Sequence, residues 1–137
     1  MKLHKINSLL LPFTLLVGSS FLSSCRKGPG PGGKGTITGT IYEYNYNSEY
    51  TIIQGEYLKG DHDVFLQYDG ENTYDEKTST HYNGVFEFTY LLPGKYTVYA
   101  YSKDKLPSTP GDIVILREVE IEKKETVDLG TIEVYDN

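Results

Sequence analysis

The sequence holds no tryptophan, one methionine and one cysteine in 137 residues. A single Cys excludes an intrachain disulfide framework and any Cys-based zinc cluster. No apolar run reaches the ~20 residues that a membrane-spanning helix needs. Acids are missing from the first 35 residues, and bases are scarce after them. Residues 36–137 hold all 19 acids against eight Lys and Arg, which leaves −11 on that segment. A body so acidic repels phosphates and speaks against nucleic acid as a partner, because such binding needs clustered Lys and Arg. Helical periodicity is absent too: nowhere do apolar residues recur at helical spacing for three turns.

The N-terminus carries an address. Met1-Lys2-Leu3-His4-Lys5 is a short basic start, and Ile6 to Val17 is apolar but broken by Asn7, Ser8, Pro12 and Thr14. A run of mostly small residues from Gly18 to Ser24 follows, and this order is that of a secretory signal. Its ending, Leu22-Ser23-Ser24-Cys25, resembles the lipobox of bacterial lipoproteins. The resemblance implies recognition of Leu22, Ser23 and Ser24 by a signal protease, cleavage before Cys25, and lipidation of Cys25. Several acyl chains on one residue anchor a protein stably where one chain does so marginally. Arg26 stands where many bacteria place the Asp that retains a lipoprotein at the inner membrane, so the expected location is the outer membrane.

Residues 25–35 follow as lipidated Cys and tether. Arg26 to Gly35 has no apolar side chain except its prolines, and Gly and Pro dominate it. Gly28, Gly33 and Lys34 match the spacing of a phosphate-binding loop. Gly35 replaces the required Ser or Thr, no strand precedes the run and no helix follows, so a nucleotide site is rejected.

Residues 36–137 read as strands. Ile37, Gly39 and Ile41 alternate with Thr36, Thr38, Thr40 and Tyr42; Val64 and Leu66 with Phe65 and Gln67; Phe86 and Phe88 with Val85, Glu87 and Thr89. Tyr96, Val98 and Ala100 alternate with Thr97, Tyr99 and Tyr101, and Val119 and Ile121 with three glutamates. Asp69-Gly70 and Asn83-Gly84 read as hairpin dipeptides and Pro93-Gly94 as a type II turn. About seven short strands in about 100 residues indicate an all-β two-sheet sandwich.

The stretch from Asn83 to Ala100 resembles a hairpin of carboxypeptidase-regulatory-like domains, which are related in fold to transthyretin. The pattern is Asn-Gly-x-Phe-x-Phe-x-x-Leu-x-Pro-Gly-x-Tyr-x-Val-x-Ala. Gly35 to Ile41 is similar to that family's first strand and Val127 to Ile132 to its last. The resemblance implies a seven-stranded Greek-key sandwich serving as an accessory, stalk or recognition module, usually without catalysis. The chain departs from the pattern where Thr80 is followed by His81 instead of Asp, and in a long, tyrosine-rich connection over residues 44–60.

Candidate chemistry is thin. Ser102-Lys103-Asp104-Lys105 has the Ser-x-x-Lys spacing of penicillin-binding proteins but lacks that motif's partners. His62 and His81 are the only histidines after the signal, and neither lies near a Gly-x-Ser-x-Gly elbow. Asp61-His62-Asp63 and Asp69-Gly70-Glu71-Asn72 put carboxylates in turns, yet without the alternating acids and closing Glu of a calcium loop. No enzyme, cofactor or metal is expected. The anomaly is tyrosine: all 13 lie in residues 36–137. With Ile37 and Ile41 inward, Tyr42, Tyr44 and Tyr46 share the outer face, and with Val98 and Ala100 inward so do Tyr99 and Tyr101. These five are the candidate contacts for a glycan or an envelope protein, a single platform favouring the glycan. The competing explanation is that tyrosine simply suits strands.

Overall fold

The computed structural model describes residues 28–69, 72–105 and 111–137. The signal, with Leu22, Ser23, Ser24 and Cys25, lies outside the described residues. Eight strands are present among the described residues: β1 (Pro31–Tyr46), β2 (Ile53–Leu58), β3 (Asp63–Tyr68), β4 (Glu76–Ser79), β5 (Val85–Leu91), β6 (Gly94–Lys103), β7 (Asp112–Ile121) and β8 (Thr126–Asp136). Eight strands form where about seven were expected, and two of them, β2 inside the 44–60 connection and β4, carry no alternation in the sequence. The β2 sequence, Ile53-Gln54-Gly55-Glu56-Tyr57-Leu58, does not alternate, since it is an exposed edge strand with no buried face.

Two sheets form. In one, β8 runs parallel to β1 along one edge, while β5 and β2 pair antiparallel with the two halves of the other edge. The second sheet is antiparallel in the order β4-β3-β6-β7. The chain therefore changes sheet four times: between β2 and β3, β4 and β5, β5 and β6, and β7 and β8. This corrects the Asn83-Gly84 hairpin expectation and the hairpin likeness of the stretch that follows it. Asn83-Gly84 and Pro93-Gly94 sit in connections that cross between sheets, so the stretch from Asn83 to Ala100 is no hairpin. Gly84, at φ +77°, and Gly94, at φ +155°, supply backbone angles that other residues adopt only with strain.

The core lies between the sheets. Ile37, Ile41, Phe86, Phe88, Ile132 and Val134 come from the first sheet, and Val64, Leu66, Tyr96, Val98, Ala100 and Ile121 from the second; all are buried. Each such aliphatic or aromatic side chain contributes ~1.5–3 kcal/mol by leaving water. Gly39 opposes Phe86 in the ladder, and a Cβ there would lie 2.6 Å from the Phe86 ring. The absence of a side chain at 39 makes room for that ring.

The expected tether joins the fold sooner than its composition suggests. Strand β1 begins at Pro31, and Gly30 donates its N–H to Tyr96 Oη at 2.9 Å while accepting from Leu92 N at 2.8 Å. Gly33 lies so close to β5 that a Cβ would overlap the Leu91 carbonyl. Glycine binds here through its backbone, a contact that a search for apolar side chains does not register.

Candidate functional site

The five candidate tyrosines do face outward, but they divide between two surfaces. Tyr42, Tyr44 and Tyr46 lie on the outer face of the first sheet, and Tyr99 and Tyr101 on the outer face of the second. They form no single platform, which removes the arrangement that most favoured a glycan.

On the first face, strand pairing sets Tyr135 beside Tyr44 and Glu133 beside Tyr42. The Tyr44 and Tyr135 rings lie 5.7 Å apart, inclined by 22°. Tyr46 approaches Tyr135 at 6.2 Å and Tyr50 at 5.9 Å, and Tyr42 meets Tyr44 edge-on at 5.3 Å. The Lys105 ammonium stands 3.5 Å above the Tyr135 ring, a cation–π contact. Tyr44 donates its hydroxyl to Glu133 Oε1 at 3.3 Å and Tyr135 to Oε2 at 3.5 Å. Partial desolvation, then the Glu133 carboxylate, raise the Tyr44 phenol above its usual range; desolvation and Glu56 do the same for Tyr42. These hydroxyls remain proton donors at neutral pH. All three of Tyr42, Tyr44 and Tyr46 are half-buried by these neighbours.

The second face is more apolar. Phe65 is its centre: Tyr99 stacks on it at 5.1 Å and 13°, Tyr74 meets it edge-on at 5.1 Å and Tyr101 at 5.6 Å. The ladder continues the patch onto β7, pairing Tyr99 with Leu116 and Tyr101 with Val114. Tyr74 and Leu116 are each about half exposed, at 52% and 53%. Desolvation first, then the neighbouring phenols, raise Tyr99. Phe65, Tyr74, Val114, Leu116 and, on the first face, Tyr50 and Tyr135 were not among the sequence candidates. The run Ile113-Val114-Ile115-Leu116 carries the signal for β7, because the two-residue period puts Val114 and Leu116 on the outer face, and Ile113 at the strand's start is exposed as well.

Three candidate catalytic side chains, Ser102, His62 and Asp63, are engaged in structure, while His81 is exposed. Ser102 is buried on β6; it accepts the Tyr135 N–H at 2.8 Å and donates to the Lys103 carbonyl at 3.1 Å, tying one sheet to the other. His62 Nε2 lies 3.0 Å from the Tyr101 carbonyl, and desolvation lowers its pKa below 6.5. Asp63 accepts from Lys77 Nζ at 2.9 Å and Ser79 Oγ at 2.8 Å, and these hydrogen bonds lower its pKa. Among the described residues, no three His, Cys, Asp or Glu side chains converge on a point that would hold a metal ion. A small cleft of about 210 Å³ does open beside Glu43, Lys59, His62 and Asp136. Two of the carboxylates lining it are paired: Glu43 accepts from Lys59 Nζ at 2.9 Å and from Tyr57 Oη at 2.6 Å, and Asp112 accepts from Lys103 Nζ at 2.7 Å.

No protein-family model matches the chain, and no curated protein matches its sequence. Among solved structures, the chain is similar to a Pseudomonas aeruginosa protein described as a candidate carbohydrate-binding protein. That likeness has 14% identity and a TM-score of 0.45, and covers 74% of this chain and 90% of the other. It is also similar to a minor pilin of Streptococcus agalactiae, at 14% identity and a TM-score of 0.43 over 76% of this chain. The second match spans 46% of the pilin, about half its length.

Proposed function

We propose that the chain is a lipoprotein, cleaved after Ser24 and held at the bacterial outer membrane through Cys25, whose sandwich is a non-catalytic recognition module of the carboxypeptidase-regulatory-like kind. The observation that carries the recognition role is the pair of solvent-facing aromatic clusters on a body whose Ser102, His62 and Asp63 side chains are hydrogen-bonded within the fold. A surface patch of half-exposed Phe, Tyr, Leu and Val is costly to keep in water and suits a partner's apolar face. The partner class favoured by the Phe65 face is an envelope protein.

A glycan is the second reading, and the Tyr44–Tyr135 face supports it. Rings lie there beside the Glu133 carboxylate, so that sugar C–H faces and hydroxyls would both find contacts. With no tryptophan in the chain, intrinsic fluorescence reports the tyrosines directly. Envelope oligosaccharides titrated into the protein should quench it, and Tyr44→Ser/Tyr135→Ser should abolish the change while Tyr99→Ser/Tyr101→Ser preserves it. No quenching with any envelope glycan removes this reading. Anchoring is tested by Cys25→Ser. The variant should leave the membrane fraction or accumulate uncleaved at the inner membrane; one that still partitions with outer-membrane lipid refutes the lipid anchor.

A further inference from the structure

The end of the sandwich where the chain comes in from residue 28 differs in charge from the rest. A groove of about 430 Å³ opens there between the start of β1, the Leu92-Pro93 crossing and the Lys123-Lys124 turn, lined by Gly32, Gly33, Lys34, Leu92, Pro93, Lys123 and Lys124. Three lysines and no acidic residue line it, in a chain whose residues 36–137 carry 19 acids and eight bases, although the Glu125 carboxylate caps the same turn by accepting the Glu122 N–H at 2.6 Å. Three of the other cations, Lys59, Lys77 and Lys103, are ion-paired to Glu43, Asp63 and Asp112. The adjoining groove is mixed, with Asp69, Glu120 and Glu122 facing Lys95 and Lys123.

Two further observations mark the lysine groove. Lys124 adopts φ +62°, a left-handed conformation in which Gly or Asn would be less strained. The second is position. Pro29 is packed against Gly94, so the described chain starts at this end of the body. From Cys25 to Gly28 the chain reaches ~10 Å at most, about one Debye length at physiological salt. A lipid on Cys25 would hold these lysines within range of headgroup charge.

We propose that this groove takes the phosphate of an anionic phospholipid headgroup and sets the sandwich on the membrane with this end down. Leu92 and Pro93 supply an apolar floor for the glycerol and first methylenes, and Lys34, Lys123 and Lys124 surround the phosphate. Both aromatic faces then stand roughly perpendicular to the membrane, open to partners. The orientation rests on the Cys25 anchor proposed above; the groove chemistry does not.

The test uses the chain acylated at Cys25, verified by mass, in vesicles of phosphatidylcholine alone or with equimolar phosphatidylglycerol. Acetylation rates of individual lysines are read by mass spectrometry. Lys34, Lys123 and Lys124 should react about fivefold more slowly when phosphatidylglycerol is present, and about 0.5 M salt should remove the protection. Lys77 and Lys103 should react equally in both. Equal rates for the groove lysines in the two vesicles overturn the proposal. Equal protection by inorganic phosphate over phosphatidylcholine overturns the lipid as occupant. A missing acyl mass on Cys25 would count against the anchor alone. The unacylated chain is then mixed with the same vesicles: phosphatidylglycerol-dependent binding that Lys34→Gln/Lys123→Gln/Lys124→Gln abolishes supports the groove, and no such binding by the parent chain overturns it.

Discussion

Glu43 and Lys59 form an ion pair at the end of the core, with Lys59 Nζ 2.8 Å from Glu43 Oε2, the Glu43 side chain 3% exposed and the Lys59 side chain 28% exposed. Glu43 is the inward residue after Ile37 and Ile41 on β1, so the strand's alternation drives a carboxylate into the sandwich. Removing only the lysine, as in Lys59→Met, leaves that charge with Tyr57 as its remaining donor and should cost ~3–5 kcal/mol. Glu43→Leu/Lys59→Met should recover most of the loss, because replacing both ions removes the desolvation penalty with the attraction. Chemical denaturation of the three proteins checks this; a double variant no better than the single one would show that the pair stabilises by more than compensation. Burial alone would lower the Lys59 pKa, but the Glu43 hydrogen bond and charge raise it above 10.5 overall. The stability linked to the Lys59 proton is thus fully present just below pH 10.5 and lost as pH rises through the higher folded value.

His62 acts in the opposite direction. Desolvation depresses its folded pKa below 6.5, so the folded protein resists protonation more than the unfolded chain does. The stability held by neutral His62 is present above pH 6.5 and declines as pH falls toward the folded pKa. A melting temperature recorded across this window should fall for the parent protein and fall less for His62→Gln. Parallel curves would show that another group governs the acid limb.

Tyr96 ties the incoming chain to the body: its hydroxyl accepts the Gly30 N–H at 2.9 Å and donates to the Leu92 carbonyl at 2.6 Å. Tyr96→Phe keeps the ring in the core and deletes only those bonds, at a cost of ~1–3 kcal/mol for two groups left unpaired. Hydrogen exchange at Gly30 should accelerate well beyond the global change. An unchanged Gly30 rate would mean that the Leu92–Gly30 backbone bond suffices to hold the segment.

How far the sequence could be read follows from what each signal measures. Alternation located β1, β3, β5, β6 and the end of β7, because those strands bury one face: Ile37 and Ile41, Val64 and Leu66, Phe86 and Phe88, Val98 and Ala100, Ile121. It failed for β2 and β4, which lie at sheet edges with no buried apolar face. Turn dipeptides located chain reversals without revealing which sheet the next strand joins, so Asn83-Gly84 read as a hairpin and the stretch through Pro93-Gly94 resembled one. Parity placed the five tyrosines on outer faces. It is blind to which sheet an outer face belongs to, and their partners Phe65, Tyr74 and Tyr135 come from strands distant in sequence.

The Tyr42, Tyr44 and Tyr46 stripe separates recognition from architecture. A register bulge falls between Asn45 and Tyr46, yet Tyr46 still reaches Tyr135 on the outer face. Replacing all three by Ser removes ring pairs with Tyr50 and Tyr135 as well as the Tyr42–Tyr44 contact. Pairs of this kind on a half-exposed surface are worth ~0.5–1.5 kcal/mol each, against ~3–5 kcal/mol for a fully buried ring. The triple variant should therefore lose about 1 kcal/mol per ring and remain folded, with the melting temperature down by ~4–8 °C for each kcal/mol in a domain of this size. If the stripe also anchors a partner, affinity should fall by a further 1 kcal/mol or more per contacting ring. That loss would exceed anything a folded, slightly destabilised module explains. A triple variant unfolded at room temperature would instead place these tyrosines among the supports of the sheet, and recognition would then rest on the Phe65 face alone.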